Sequence, residues 1–197
     1  LEGNPHAVLE GMLIGARATG AGAGYAYVRA EYPLAVQRLR AAVSDARDAG
    51  LLGSDIFGSS VDFDIYIMEG AGAFVCGEAS AMVSSIMGNR GMPRPKPPRT
   101  AERGLWDRPT IVNNVETLAC VPLILDRGAK WFAGIGSSSC PGPKLFSVSG
   151  HVENPGVYEF PMGVPLGEVL EAAGGVRGDL KAVQVGGTAG PVYDASA

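Results

Sequence analysis

Gly70-Ala71-Gly72-Ala73-Phe74-Val75-Cys76-Gly77-Glu78 is the stretch of this chain richest in chemical information. It follows a run that reads as a strand and precedes one that reads as a helix. A glycine turn at such a junction bares backbone N–H groups at the C-terminal edge of a sheet, where anionic ligands bind in α/β folds. The spacing is not GxGxxG, so the usual dinucleotide fingerprint is absent. Glu78 opens the helix, where an acid either meets the helix dipole or faces a ligand. Cys76, beside the same terminus, is either an activated thiol or an inert, half-buried one. Thr110-Ile111-Val112-Asn113-Asn114-Val115-Glu116-Thr117 sets two adjacent amides and a carboxylate at a second helix start. One asparagine is enough for a cap, so the pair points to ligand hydrogen bonds.

Arg90, Arg94, Lys96 and Arg99 lie among Pro93, Pro95, Pro97 and Pro98. The segment is either a rigid cationic strap over an anionic ligand or a solvated loop; long proline-rich loops are often functional. His6 and His151 have no partner pattern and read as structural. No Ser-His-Asp set and no HExxH occurs. Cys76, Cys120 and Cys140 are widely spaced and form no CxxC. A zinc or iron–sulfur site within this chain is therefore not expected, and free thiols in a reducing cytoplasm are.

The elements that must position these residues follow from periodicity. Ala7, Leu9, Met12, Leu13 and Ala16 form a helical stripe, ended by Gly20, Gly22 and Gly24. Tyr25 to Tyr32 reads as a strand, and Pro33 suits the first turn of a helix whose apolar face is Val36, Leu39, Ala42, Val43 and Ala46. Val61 to Met68 alternates, with Phe63, Ile65 and Ile67 opposite Asp62, Asp64 and Tyr66. Gly77 to about Gly88 reads as a helix. Strand, helix, strand, glycine turn, helix is a βαβ unit and implies a parallel α/β sheet. Gly91 to Arg108 cannot be regular, because its prolines remove donors. A helix from Val115 to about Gly128 follows, opened by Thr110 or Asn114. After Cys140-Pro141-Gly142-Pro143, the pattern Lys144–Val152 strand, Val157–Phe160 strand, Pro165–Ala173 helix and Lys181–Val185 strand makes a small α+β module. The expected domains are residues 1–140 and 141–197.

The chain has 197 residues, 46% of them hydrophobic, which is enough for a core and excludes wholesale disorder. Its net charge of −4 argues against a dedicated nucleic-acid binder. The longest apolar run, Leu118 to Leu125, contains Pro122 and falls well short of a membrane span. The chain opens Leu1-Glu2-Gly3-Asn4-Pro5 with no signal-peptide pattern and ends Ala195-Ser196-Ala197. It reads as an internal piece of a longer protein.

Taken together, Tyr25 to Pro33, Gly70 to Glu78, Asn89-Arg90-Gly91-Met92-Pro93-Arg94-Pro95-Lys96-Pro97-Pro98 and Pro109 to Thr117 resemble the NADH-binding flavoprotein subunit of respiratory complex I, an NADH dehydrogenase. The diaphorase subunits of NAD-linked hydrogenases and formate dehydrogenases are similar. Lys144-Leu145-Phe146-Ser147-Val148-Ser149-Gly150-His151-Val152, with Asn154 to Glu159, looks like the β-grasp module of the soluble-ligand-binding type (SLBB) that follows in this family. The resemblance implies a Rossmann-like α/β domain holding FMN and NADH in one cleft, followed by the β-grasp module. It implies FMN contacts at Phe74, Gly77, Glu78, Val112, Asn113, Asn114 and Thr117. It implies hydride transfer from NADH to FMN, with electrons leaving to a [4Fe-4S] cluster and ultimately quinone. The partners implied are NADH and the other subunits of an electron-transfer complex, an iron–sulfur subunit among them. The setting is cytoplasmic, with any membrane attachment made through those partners.

The chain departs from the family pattern in several places. The family's glycine-rich FMN loop falls before residue 1 and its four cluster-ligating cysteines after residue 197, so this piece alone is expected to bind FMN weakly and to carry no cluster. Phe74 stands where the family usually has tyrosine. Ala79 replaces a second glutamate that repels the 2′-phosphate of NADPH in relatives, which relaxes cofactor choice. Arg99 replaces a phenylalanine that stacks on adenine; a guanidinium can stack there instead. Met87 replaces a glutamate near the end of the helix. A diaphorase of a hydrogenase or formate dehydrogenase is the alternative within the class, and a non-catalytic docking module with a degenerate cleft is the alternative outside it.

Overall fold

The computed structural model describes residues 1–195; Ser196 and Ala197, the end of the second expected domain, lie outside the described residues. The chain divides into two compact units, one ending at Asp126 and the other starting at Arg127.

The first unit is built on one parallel strand pair. Helix α1 (Pro5–Thr19) starts with Asn4 accepting from the Ala7 N–H at 3.2 Å and with Pro5 in the first turn. It stops at Gly20, which takes φ +75° and donates back to the Ala16 carbonyl. Strand β1 (Ala23–Arg29) leads through a short turn to α2 (Pro33–Asp48), and β2 (Asp64–Gly70) returns parallel to β1. The ladder runs from Ala23 opposite Asp64 to Arg29 opposite Gly70.

Alternation sends the two faces of this pair into different cores. Val28 and Ile65, with Ala26 and Ile67, pack with Leu9 and Ala16 of α1 and with Val36, Leu39 and Val43 of α2. Tyr25, Tyr27 and Met68 face Val83, Ile86 and Leu105. The expected α/β class and the βαβ unit are therefore present, with helices on both faces of the strands.

The strand ends differ from the sequence expectation. Val61 to Phe63 does not join the parallel ladder, because Phe63 is taken by an antiparallel bridge to Gly53, N to O at 2.8 and 2.9 Å. β1 stops at Arg29, where the Tyr32 N–H turns back onto the Arg29 carbonyl at 3.1 Å. Helix α3 (Ala79–Ile86) begins two residues later than expected, since Phe74–Gly77 forms a 3-10 turn ahead of it. Helix α4 (Val115–Arg127) holds through Pro122. It approaches α1 backbone to backbone: a Cβ on Gly11 would lie 2.1 Å from the Leu118 carbonyl oxygen.

The second unit opens with a short helix, α5 (Ala129–Ala133), and a two-residue hairpin, β3 (Gly136–Ser137) with β4 (Cys140–Pro141). β5 (Pro143–Val148) pairs antiparallel with β6 (Gly156–Pro161), and Phe146 meets Phe160 edge-on at 6.2 Å. Helix α6 (Leu166–Ala172) buries Val169. β7 (Ala182–Gln184) pairs with β8 (Val192–Asp194), a strand with no sequence expectation behind it. β5 ends before Val152, which bridges to Val176 instead. No helix among the described residues is long and apolar enough to cross a membrane.

Candidate functional site

The turn after β2 is shaped by its glycines. Gly70 lies under the Tyr27 ring, where an added Cβ would stand 2.3 Å from the hydroxyl oxygen. Gly72 takes φ +83° with the Glu31 carboxylate about 2.8 Å from where a Cβ would be. The chain then winds through the 3-10 turn, with the Cys76 N–H on the Ala73 carbonyl and the Glu78 N–H on the Val75 carbonyl. Phe74 is 79% exposed on this turn, and the space at Gly77 is open. Cys76 is buried against Gly91, and the Tyr27 hydroxyl shares a hydrogen bond with Ser85 at 3.0 Å. Burial, more than any neighbour, raises the Tyr27 pKa above the ordinary phenol value.

Glu78 is the N-cap of α3. Its Oε2 accepts from the Ser80 hydroxyl at 2.5 Å and from the Ala81 N–H at 2.9 Å. Its Oε1 faces Lys96 Nζ at 3.6 Å. The Ser80 hydrogen bond, then the Ala81 N–H, hold the Glu78 carboxyl below its ordinary value, so it is an anion at neutral pH. The neighbouring Ala79 is half-buried.

The proline-rich segment is pinned to that helix start. The Arg94 N–H donates to Ser80 Oγ at 2.9 Å, and Arg94 Nη2 donates to the Arg103 carbonyl. Arg94 Nε is buried with no hydrogen-bond partner. The Arg99 N–H is taken by Glu102 at 3.0 Å, while Arg90 and the Arg99 side chain reach solvent. Lys96-Pro97 and Pro97-Pro98 are cis. Of the four cationic residues in the strap, Lys96 reaches Glu78 with its side chain, and Arg94 reaches Ser80 with its backbone N–H alone.

The amide pair splits in role. Asn114 Oδ1 accepts from the Glu116 N–H at 2.9 Å at the mouth of α4, which is the capping use. Asn113 and Thr117 are exposed and Val112 is half-buried. Thr110 braces the approach, its Oγ1 accepting from the Leu105 N–H at 2.9 Å. Among the described residues, no side-chain hydrogen bond links Glu78 directly to Asn113, Asn114 or Thr117.

The donor and acceptor set suits a phosphorylated ring cofactor such as FMN. An unpartnered guanidinium N–H on Arg94 matches a phosphate oxygen. The exposed Asn113 amide matches hydroxyl and imide groups, and the exposed Phe74 ring offers an apolar plane. No group of His, Cys, Asp and Glu among the described residues could hold a metal. Another recess, lined by Arg40, Val43, Arg47, Ile65, Tyr66 and Ile67, lies along α2 and β2. Its arginines are already used: Arg40 pairs with Glu69, and Arg47 grips Asp64 at 2.9 and 3.1 Å.

Sequence reasoning missed Ser80. It is the one buried polar residue among those described, at 2% exposure. The available signal was a hydroxyl two positions beyond an N-terminal glutamate, inside a run of small helix residues.

Residues 1–123 match the Nuo51 FMN-binding domain, and residues 145–193 match the SLBB domain. The NADP-reducing hydrogenase subunit HndC of Solidesulfovibrio fructosivorans is 53% identical over 193 residues, covering 96% of this chain and 39% of that protein. An NADH-quinone oxidoreductase subunit of Rhizobium meliloti (strain 1021) is 48% identical over 195 residues, covering 98% of this chain and 46% of that protein. Among solved structures, an NAD+-reducing [NiFe]-hydrogenase in its H2-reduced state matches with TM-score 0.87 at 41% identity, over 97% of this chain and 32% of that one. The chain therefore spans less than half the length of these relatives.

Proposed function

The chain belongs to the Nuo51 FMN-binding family, with an SLBB domain behind the FMN-binding region, and on that premise we propose that it is part of an NADH-oxidising flavoprotein subunit. The whole protein passes electrons from NADH through iron–sulfur centres to quinone. The observation that carries this reading is the turn at the end of the parallel strand pair, where ionised Glu78 sits between the α3 N-terminus and the Lys96 ammonium, with the strap held beside it through the Arg94 backbone N–H on Ser80.

FMN would be held by Phe74, Gly77, Glu78, Val112, Asn113, Asn114 and Thr117. When bound, the flavin accepts hydride from the nicotinamide and gives up electrons singly. The chain's own part is to hold and orient. Glu78 presents a fixed carboxylate oxygen, Asn113 an exposed amide, and Phe74 an apolar face. Ala79 and Arg99 lie toward the dinucleotide. The [4Fe-4S] cluster belongs to the full-length protein, with its ligands outside this chain, and the junction with the SLBB module lies near residue 140. Partners are NADH and other subunits of a multi-subunit complex, including an iron–sulfur subunit, in the cytoplasm or attached to a membrane through them.

A second reading, a diaphorase subunit of an NAD(P)-linked hydrogenase or formate dehydrogenase, is favoured by Ala79. The position lacks the acid that would repel a 2′-phosphate, and the relative at 53% identity is named as NADP-reducing. The test is a visible spectrum of the full-length protein, followed by anaerobic addition of NADH and, separately, NADPH. Flavin peaks that bleach with NADH support the first reading, and comparable bleaching with NADPH supports the second. A colourless protein that binds no flavin overturns both and leaves a docking module.

A further inference from the structure

Ser80 joins the α3 N-terminus to the proline-rich strap. Its hydroxyl proton goes to Glu78 Oε2 at 2.5 Å, and its lone pair receives the Arg94 backbone N–H at 2.9 Å. Ser80 is almost fully buried, so its hydroxyl meets these two partners rather than water, while the Glu78 carboxylate stays partly exposed. A serine hydroxyl has one proton to give, and here it is given to the carboxylate. The strap amide takes the remaining acceptor capacity.

The arrangement also decides which carboxylate oxygen is left for a ligand. Oε2 already accepts from Ser80 and from the Ala81 N–H. Oε1 faces Lys96 Nζ, at 3.6 Å, and is otherwise uncommitted among the described residues. Rotation of the carboxylate would break two hydrogen bonds at once, so Oε1 is held in one direction. Lys96 sits two residues beyond the amide that Ser80 anchors, so the same hydroxyl holds the stretch of backbone from which this cation reaches Oε1.

We propose that Ser80 is a positioning residue, whose hydroxyl locks the Glu78 carboxylate and the 91–98 strap to each other. It sets one orientation for Glu78 Oε1 and holds the backbone from which Lys96 reaches it, so that both are in place before a ligand arrives. The lock rests on the proposed flavin function only for its consequence in binding; in itself it is a property of the chain's own residues. Preorganisation of this kind lowers the ordering cost of binding.

The test uses the full-length protein with Ser80→Ala, Ser80→Thr, Glu78→Gln and the double variant Ser80→Ala/Glu78→Gln. In flavin-free protein, hydrogen exchange of the 91–98 segment should quicken in Ser80→Ala and return to the wild-type rate in Ser80→Thr. In flavin-loaded protein, Ser80→Ala should release flavin about tenfold faster, as expected when a hydrogen bond to a charged group is lost. The acid limb of flavin retention should also move to higher pH, because Glu78 loses the bond that lowers its pKa most. Ser80→Thr should restore both, and Ser80→Ala should add little in the Glu78→Gln background. Unchanged strap exchange in a folded Ser80→Ala protein overturns the lock, as does a full additive effect on flavin release in the double variant. Should Ser80→Ala fail to fold, Ser80→Thr still decides: weakened flavin retention or quickened strap exchange in that variant overturns the proposal. A wild-type protein that takes no flavin but shows the expected exchange pattern overturns the flavin reading and leaves the lock standing.

Discussion

Gly91 and Cys76 are packed so closely that a Cβ on residue 91 would lie 2.6 Å from the Cys76 sulfur. Cys76 is itself buried in the turn after β2. The strap and the turn therefore touch at a second point, independent of the Ser80 bonds.

Gly91→Ala should destabilise the full-length protein by about 1–3 kcal/mol, the usual range for forcing extra volume into a packed site. Cys76→Ala removes the obstructing sulfur, so the double variant should recover most of that loss. Denaturant midpoints of the four proteins in the cycle read the outcome. Additive losses would mean that the two residues do not press on one another.

Glu78 gives a pH dependence whose sign follows from its partners. Its folded pKa lies below the ordinary glutamate value, chiefly through Ser80. The stabilisation is therefore present above the unfolded pKa and is lost as pH falls through the folded one. The full-length protein should lose an increment of thermal stability on acidification below the ordinary glutamate range, and Glu78→Gln should show a flatter profile there. Melting temperatures across that range measure it; parallel profiles would mean that the carboxylate gains nothing on folding.

The two asparagines should separate. Asn114→Ala removes the acceptor of the Glu116 N–H and should cost stability in the range of about 0.5–2 kcal/mol typical of a lost cap. Asn113→Ala trims an exposed side chain and should leave the melt unchanged while weakening flavin retention, each lost hydrogen bond contributing about 0.5–1.5 kcal/mol. Full flavin occupancy in Asn113→Ala would move the ligand away from this amide.

Ala79→Glu should restore a preference for NADH. A like-charge approach near 4 Å is worth roughly 1–4 kcal/mol, so the ratio of kcat/KM for NADH over NADPH should rise by about tenfold. Steady-state rates with both nucleotides on the full-length variant measure this. A ratio that does not move places the 2′-phosphate elsewhere.

Much of the first unit was legible because each element carried its own marks. Pro33 and the stripe Val36, Leu39, Ala42, Val43 defined α2, and Ile65 and Ile67 pointed to the face that α1 and α2 cover. The illegible parts depend on contacts distant in sequence. Gly11 looks like a weak point inside a helix, and only the Leu118 carbonyl of α4 explains it. Ser80 reads as one small residue among several until Arg94 arrives from the strap. In the second unit, β8 is three residues long, too short for alternation to register. At the site, residue type was readable but division of labour was not: Glu78 and Asn114 both spend an oxygen on a helix end, and nothing in their spacing says which oxygen stays open to a ligand.

The roof that Tyr27 makes over Gly70 ties the vocabulary of one strand to that of its neighbour. Any side chain at residue 70 would have to evict the phenol oxygen from the seat it shares with Ser85. A bulkier turn is thus open to this chain only alongside a smaller residue at position 27, whereas a smaller residue at 27 asks nothing of Gly70.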